Sequence, residues 1–440
     1  MSMLDALAAF VSAAKASDLP PHERSILRRH SADIVAARLA GAACSEGKAV
    51  AALHPPGQGA DSIAGLATIV RLTETDDIHT PTGTTPSSVA VPVALALAAD
   101  STVEGEQLES AIYVGLETIV RLGEAAGGAA IHYRGVWPTR AGATLGAAAT
   151  ACRIWGLTEQ TTKNALSLAV ILSSGRSGRF QGEPSGRWIV FSVAVATGIR
   201  AAMAARARFG GDPDVLDNGG LERALGVPVD ARLLVGDLGR TSVYPELSLK
   251  PYCTSRQALS GAEAMRALVA EGLSPNAIEA FTIHVPTAYA GMISQQLDPA
   301  MRSSAYVSGA GLAAIAALDP DALYDVEREN VLRDPRIMAL AAKGQVVADG
   351  ALDKLYPARW PARIEVTTAS GKLQHEMLEP SGGPGNPIGD DQLNEKTRRI
   401  LGRAGLTAAV EPWLAVTNRP FESKASATSL ARFFVKGGAS

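Results

Sequence analysis

The sequence has few cysteines and few aromatic residues, and these shortages exclude several classes of protein. Its three cysteines, Cys44, Cys152 and Cys253, are widely spaced and odd in number, which argues against a disulfide framework and leaves no CxxC pair for zinc or redox chemistry. Only 5% of the residues are aromatic, whereas 47% are hydrophobic. Most of these are alanine, leucine and valine, which predicts closely packed helices with small residues at their crossings.

The chain also lacks an excess of charge of either sign. Its formal net charge is -3, from 41 Lys and Arg against 44 Asp and Glu. Because no basic patch or run of like charges stands out, we expect no nucleic-acid partner and favour a small molecule.

Long apolar runs are missing as well. The alanine-rich stretches 89–99 and 141–151 are shorter than the roughly 20 apolar residues of a membrane span. At the N-terminus, Asp5 precedes a short apolar run and no basic leader is present. We therefore expect no membrane association and no export, and the cysteine usage favours the cytoplasm.

The pattern of apolar residues changes along the 440-residue chain, whose length predicts two domains. Helical spacing dominates up to about residue 240, which predicts an all-helical domain over 1–240. Alternating stretches predict half-buried strands and thus a smaller α+β domain over 241–389; they are AIEAFTIHVPTAY, DALYDVE and ARIEVTTASGKLQHEML. The terminal helical pair in 390–440 is expected to complete the helical domain.

A polar segment over 73–88, TETDDIHTPTGTTPSS, connects two apolar helical stretches. Two interpretations of its acids and histidine stay open. Asp76 and Asp77 could form an Asx turn and cap the next helix, or Asp77 and His79 could belong to an active site that the segment borders.

Motifs for cofactors are absent from the sequence. There is no Rossmann fingerprint, no P-loop and no metal-ligand cluster among the seven scattered histidines. We therefore predict that the protein's activity needs neither cofactor nor metal and survives exhaustive chelation.

Several short motifs occur in an order that resembles the MmgE/PrpD family; they are SADIVAARLAGAA, DDIHTPTGTTPSSVAVPVALALAAD, YVGLETIVRLGEA, WPTRAGATLGAAATACRIWGL and SLKPYCTSRQALSGAEA. The resemblance implies a mainly α fold, with a large all-helical domain and a smaller α+β lid domain. It also implies a homodimer without a cofactor. Known members include 2-methylcitrate dehydratase, cis-aconitate decarboxylase and iminodisuccinate epimerase, so the implied substrate is a small polycarboxylate.

The sequence departs from the dehydratase and decarboxylase members at their histidines. Thr85 stands where a histidine precedes the Pro-Ser pair, and Trp137 stands where another precedes the Gly/Ala-rich helix. Arg187 aligns with an expected lysine, whereas Lys250 of the Lys-Pro-Tyr turn is retained. Loss of both histidines favours an epimerase, which needs a base on each face of one acidic carbon but no leaving group. A dehydratase or decarboxylase stays as the alternative, followed by a catalytically silent binding protein.

The candidate site residues are of two kinds. As catalytic groups the sequence and the resemblance favour Lys250, Asp77, His79 and Tyr133, with Lys250 as the cation that stabilises the intermediate. As substrate-binding groups they favour Arg187, Arg256, Trp137, Thr85, Tyr252 and His132, with the arginines binding carboxylates and Trp137 forming a pocket wall. Plain alternatives stay open: a solvated loop lysine for Lys250, surface salt bridges for the arginines, and a buried structural role for Tyr133.

Overall fold

The structure is a computed structural model that describes residues 2–55, 57, 59–174 and 185–437. The chain divides into two compact units. Unit 1 is Met1–Leu247 with Leu406–Ser440, and unit 2 is Ser248–Gly405. Unit 1 is helical and unit 2 contains a sheet, so the predicted mainly α fold with a smaller α+β part is confirmed.

The N-terminal part of unit 1 consists mainly of helices. They are α1 (Met3–Ala13), α2 (Pro21–Ala43), α3 (Ser45–Leu53), α4 (Ala60–Arg71), α5 (Ser87–Ala98), α6 (Gly105–Ala125), α7 (Pro138–Ile154), α8 (Glu159–Leu172), α9 (Gly186–Arg206), α10 (Gly220–Leu225) and α11 (Ala231–Val235). A two-residue strand, β1 (Ile78–His79), lies between α4 and α5, and β2 (Leu247–Ser248) straddles the boundary of the two units.

The core of unit 1 forms where α6, α7 and α9 approach one another closely. A Cβ atom on Gly146 of α7 would lie 2.2 Å from Ile119 Cγ1 of α6, and one on Gly198 of α9 would lie 2.1 Å from the carbonyl oxygen of Thr144. Backbones can come this close only where a side chain is missing. The small residues of α7 therefore form the helix crossings that the composition predicts.

Unit 2 is built on a four-stranded sheet in the order β4 (Gly344–Ala348), β3 (Ile278–Val285), β5 (Ala362–Thr368) and β6 (Gly371–Met377). Strand β3 pairs parallel with β4 and antiparallel with β5, and β5 and β6 form an antiparallel hairpin. Its helices are α12 (Arg256–Ala270), α13 (Thr287–Ile293), α14 (Ser304–Val307), α15 (Gly309–Leu318), α16 (Glu329–Arg333), α17 (Pro335–Ala341) and α18 (Asp390–Arg403). Helix α12 packs on β5, β6 and α15.

The strand predicted at DALYDVE is wrong. The chain there forms a 3-10 helix over Pro320–Tyr324. Pro320 occupies its first position, and the Asp319 side chain accepts a hydrogen bond from the backbone N–H of Ala322. Local capping of this kind favours a helical turn over an extended strand.

The C-terminal helices belong to different units. Helix α18, which the sequence analysis assigned to the helical domain, lies in unit 2 and packs on Pro320–Tyr324. The last two helices, α19 (Val410–Thr417) and α20 (Lys424–Lys436), lie in unit 1, where α20 packs on α5.

Helix α9 is more apolar than the sequence analysis recognised. Within the described residues it is the one helix of sufficient length and hydropathy to cross a membrane, but 61% of its apolar window is buried. Burial of this extent is typical of the core helix of a globular domain.

Candidate active site

The polar segment between α4 and α5 lies in the interior of unit 1. Asp76, Asp77 and His79 each have 0% relative exposure. Polar groups removed from water need hydrogen-bond or ionic partners. The partners of this segment therefore define the candidate site in unit 1.

Asp77 connects two helices through its carboxylate. Its Oδ1 accepts a hydrogen bond from the backbone N–H of Ser87 at 3.2 Å, and its Oδ2 accepts from Ser87 Oγ at 2.5 Å. His30 of α2 places Nδ1 2.9 Å from the same Oδ2. A carboxylate at the first residue of a helix stabilises its N-terminus. This geometry matches the capping interpretation, and the catalytic role of Asp77 stays a prediction.

His79 lies in a tight turn at the end of the strand β1. Its backbone N–H donates to the carbonyl of Thr84 at 2.7 Å, and its Nδ1 lies 2.9 Å from Thr82 Oγ1. On the other side, Nε2 lies 3.4 Å from the carboxylate of Glu246. The neighbouring His79 lowers the pKa of Glu246. The imidazole is thus buried but connects to an acid whose side chain is 57% exposed.

Thr85 and Trp137 lie at the starts of neighbouring helices. The Thr85 backbone N–H donates to Thr139 Oγ1 at 3.1 Å, and the two hydroxyl oxygens are also 3.1 Å apart. Trp137 is the N-cap residue of α7, and its ring centroid lies 5.8 Å from that of Phe191. Where the resemblance places histidines, the structure has a buried hydroxyl and an indole in an aromatic cluster.

Two arginines share one carboxylate beside Trp137. Arg71 Nη1 lies 3.0 Å from Glu74 Oε2 and 3.1 Å from Asp76 Oδ1. Arg187 Nη2 donates to the other oxygen of Glu74. Glu74 has a left-handed φ of 53°, a conformation that costs a non-glycine residue free energy and occurs often at functional sites. The ion pairs hold this conformation in place.

Two indoles complete the arginine cluster. The Arg187 guanidinium lies 4.1 Å from the ring centroid of Trp188 and 5.8 Å from that of Trp137. The Arg71 guanidinium lies 5.5 Å from the Trp137 centroid. The Trp188 N–H donates to Glu46 at 3.1 Å. We call Arg71, Glu74, Trp137, Arg187 and Trp188 the arginine–tryptophan cluster.

The pKa values of the two arginines are shifted in opposite directions. For Arg187, burial is the largest influence and lowers the pKa, while Glu74 raises it and Arg71 lowers it further. For Arg71, burial also acts against the charged form, but Asp76 and Glu74 outweigh it and the pKa is raised. Both guanidiniums remain charged at neutral pH, so the cluster places two cations among carboxylates.

His132 and Tyr133 lie on a 3-10 helix, Gly128–Arg134, just before α7. Their rings meet edge to face with centroids 5.4 Å apart, and both side chains are half-buried. The flanking Gly127 and Gly135 have φ values of 99° and 83°, which only glycine adopts readily. Half-buried rings of this kind keep some access to solvent, as acid–base groups require.

Lys250 in unit 2 is not a solvated loop lysine. It lies two residues after the end of β2, and its relative exposure is 1%. Burying an ammonium group is costly unless charged or polar groups compensate it. A buried lysine in a loop is therefore a stronger candidate for a functional cation than the sequence alone could show.

Tyr252 and Arg256 are also buried in unit 2. The Tyr252 hydroxyl donates to Glu263 Oε1 at 2.9 Å, and burial raises its pKa well above the ordinary value. Arg256 Nη2 lies 3.4 Å from Glu379 Oε1, and burial lowers the pKa of this arginine. Arg256 is thus no surface salt bridge, because its side chain is fully enclosed.

Sequence reasoning missed several residues of the site in unit 1; they are His30, Arg71, Glu74 and Trp188. Arg71 could have been identified from the sequence, because it ends an apolar helix and acids that can pair with it follow three and five residues later. His30 and Trp188 could not have been identified in this way, because their partners Asp77 and Glu46 are distant in sequence. Among the described residues, no group of three or more His, Cys, Asp or Glu side chains is placed to hold a metal ion.

Comparison with known families agrees with this fold of a helical unit and a sheet-containing unit. The MmgE/PrpD N-terminal domain matches residues 5–226, and the MmgE/PrpD C-terminal domain matches residues 252–412. The chain therefore belongs to the MmgE/PrpD family, whose members are enzymes of the dehydratase, lyase or epimerase type. No individual curated protein matches it.

Proposed function

We propose that the protein is a cofactor-free epimerase that moves a proton next to a carboxylate group of a small polycarboxylate. The observation that carries the proposal is the environment of Trp137. Its position corresponds to a histidine of the dehydratase and decarboxylase members, and its ring lies beside Arg71 and Arg187. An indole cannot take up or deliver a proton in water loss, but guanidiniums beside it can hold carboxylates.

The reaction needs no leaving group. A base removes the proton from the carbon next to a carboxylate, and the electrons of the C–H bond move onto that carboxylate to form an enolate-like intermediate. A proton then returns to the opposite face of the carbon, so the substrate loses no atom. Lys250 is the proposed cation that stabilises the intermediate, Tyr133 is a proposed proton-transfer group, and the neighbouring His132 is proposed to bind the substrate.

The charges of the arginine–tryptophan cluster favour a substrate that carries both signs of charge. The Arg71 and Arg187 guanidiniums alternate there with the carboxylates of Glu74 and Asp76. A polycarboxylate with an amine, such as iminodisuccinate, offers carboxylates to the arginines and an ammonium to the acids. A purely anionic substrate such as citrate would meet repulsion from Glu74 and Asp76.

The experiment follows solvent deuterium into single enantiomers of iminodisuccinate and 2-methylcitrate, and into citrate. The full-length protein is incubated with each acid in D2O, and the products are analysed by NMR, mass spectrometry and chiral chromatography. We expect deuterium incorporation with inversion at one stereocentre of the accepted substrate and no loss of water or CO2. Elimination or decarboxylation products would instead support the lyase alternative, and binding without exchange would indicate a silent binding protein.

A further inference from the structure

The first turn of α12 in unit 2 lacks a side-chain cap. Ser255 is the N-cap residue, but its hydroxyl accepts no hydrogen bond from the helix. Ser255 Oγ is buried and has no hydrogen-bond partner within the described part of the chain. A serine at this position normally accepts from the second or third residue of the helix. The N–H of Ala258 donates instead to the carbonyl of Ser255 at 3.3 Å, so the N–H groups of Arg256 and Gln257 are the donors that this end of the helix offers to an anion.

Arg256, the first residue of α12, adds a charge whose donors are incompletely used. Its relative exposure is 1%, and its Nε and Nη1 atoms are buried without a hydrogen-bond partner among the described residues. The contact of Nη2 with Glu379 measures 3.4 Å, longer than the 2.7–2.9 Å typical of charge-assisted hydrogen bonds. An enclosed guanidinium with unused donors is costly. A bound anion that accepts hydrogen bonds from Nε and Nη1 would lower this cost.

A glycine-rich segment lies directly against this arginine. A Cβ atom on Gly383 would lie 1.6 Å from Glu379 Oε1 and 3.0 Å from Arg256 Nη2. One on Gly382 would lie 1.7 Å from the carbonyl oxygen of Leu249, the residue before Lys250. The segment SGGPGNP over 381–387 thus needs glycine because its backbone closes over these groups.

We propose that Ser255, the first turn of α12 and Arg256 form a carboxylate-binding subsite in unit 2, which holds a non-reacting carboxylate of the substrate. Arginine N–H groups and a serine hydroxyl are donors suited to a carboxylate. Burial raises the pKa of Glu379, and the neighbouring Arg256 acts in the opposite direction. That the bound group belongs to the substrate rests on the proposed function, whereas the existence of the subsite does not.

The test measures binding of succinate, a dicarboxylate with neither a stereocentre nor a leaving group, to the full-length protein by isothermal titration calorimetry. We expect saturable binding to the wild type. Ser255→Ala should weaken it about tenfold, the usual effect of losing a hydrogen bond to a charged group. Arg256→Lys keeps the charge but loses the planar fork, and should weaken binding by at least as much. Sulfate and phosphate titrations show whether the subsite prefers a carboxylate.

Matched controls separate this subsite from general effects. Ser274→Ala changes another N-cap serine without a side-chain hydrogen bond, and Arg336→Lys changes an exposed arginine of unit 2. Both should bind succinate as the wild type does. The proposal is overturned if the wild type does not bind succinate, or if Ser255→Ala and Arg256→Lys bind it within twofold of the wild type. If Arg256→Lys does not fold, the succinate affinity of Ser255→Ala alone tests the proposal. Succinate binding without turnover of any acid would contradict the proposed function only.

Discussion

The guanidinium of Arg187 lies 4.1 Å from the ring centroid of Trp188, its neighbour in the chain. The same guanidinium is paired with Glu74, 113 residues away in sequence. A cation–π contact and an ion pair together restrict the rotamers of a side chain that would otherwise lose considerable entropy on binding a ligand. Arg187 would therefore lose little entropy on binding a substrate carboxylate, as the proposed function requires.

Replacing Arg187 should impair catalysis without unfolding the protein. Arg187→Met keeps most of the stem and removes the charge, and we expect kcat/KM to fall about 100-fold or more. The control is Arg206→Met. Arg206 lies on the same helix as Arg187, and its guanidinium also lies close to an indole, 4.4 Å from the ring centroid of Trp155. The measurement is the deuterium-exchange rate on the accepted polycarboxylate. Equal rates in both variants would place Arg187 outside the active site.

Lys250 should be required for turnover. Lys250→Met retains bulk in a buried position, and loss of the cation that stabilises an enolate-like intermediate should lower kcat roughly 100- to 1000-fold. Lys396→Met is the matched control, because Lys396 is another buried lysine of unit 2. An undiminished rate in Lys250→Met would show that the Lys-Pro-Tyr turn does not form the active site.

Asp77 should contribute mainly to stability. Asp77→Asn removes the charge that Ser87 and His30 contact, and we expect the free energy of unfolding in urea to fall by about 2 kcal/mol. Asp61→Asn, which disrupts an exposed pair with Arg200, should change it by less than about 1 kcal/mol. Unchanged stability together with lost turnover would instead assign Asp77 to the chemistry.

The cysteines should be unreactive in the folded protein. Burial raises the pKa of Cys253 to about 11 and that of Cys152 to about 12, and Cys44 is buried too. Because the thiolate is the reactive species, Ellman's reagent at pH 8 should label the three thiols only after unfolding in urea. The folded state keeps thiol protons that the unfolded chain releases near pH 8.5. This contribution to stability is thus present below about pH 8.5 and is lost as the pH rises through 11. Rapid labelling of the native protein would contradict the buried placement.

The sequence predicted those parts of the fold that depend on local periodicity. The alternation in AIEAFTIHV and ARIEVTT located β3 and β5, where residues such as Ile364 and Val366 point to the buried face. Local periodicity could not show to which unit α18 belongs. An amphipathic helix reveals that one face is buried, but not which neighbour covers it.

The candidate site was less accessible to sequence reasoning. A run of threonines and aspartates reads as a polar connection, and nothing in it indicates full burial. That burial depends on Arg187 and His30, which are brought to the segment by packing of α9 and α2. The resemblance to a family singled out the segment and Lys250, but it could not indicate that Arg71 and Trp188 lie beside Arg187 within unit 1.

The contact between Gly198 and Thr144 has a consequence for how the candidate site can change during evolution. Trp137 directly precedes α7, and Arg187 is the second residue of α9, 11 residues or about three turns before Gly198. Rotation of α9 about its axis would carry the guanidinium away from the indole, and the direct backbone contact at Gly198 resists that rotation. A descendant that gained one methyl group at position 198 would keep every residue of the arginine–tryptophan cluster and still lose their alignment. Inheritance of the site therefore depends on a position that contributes no side chain at all.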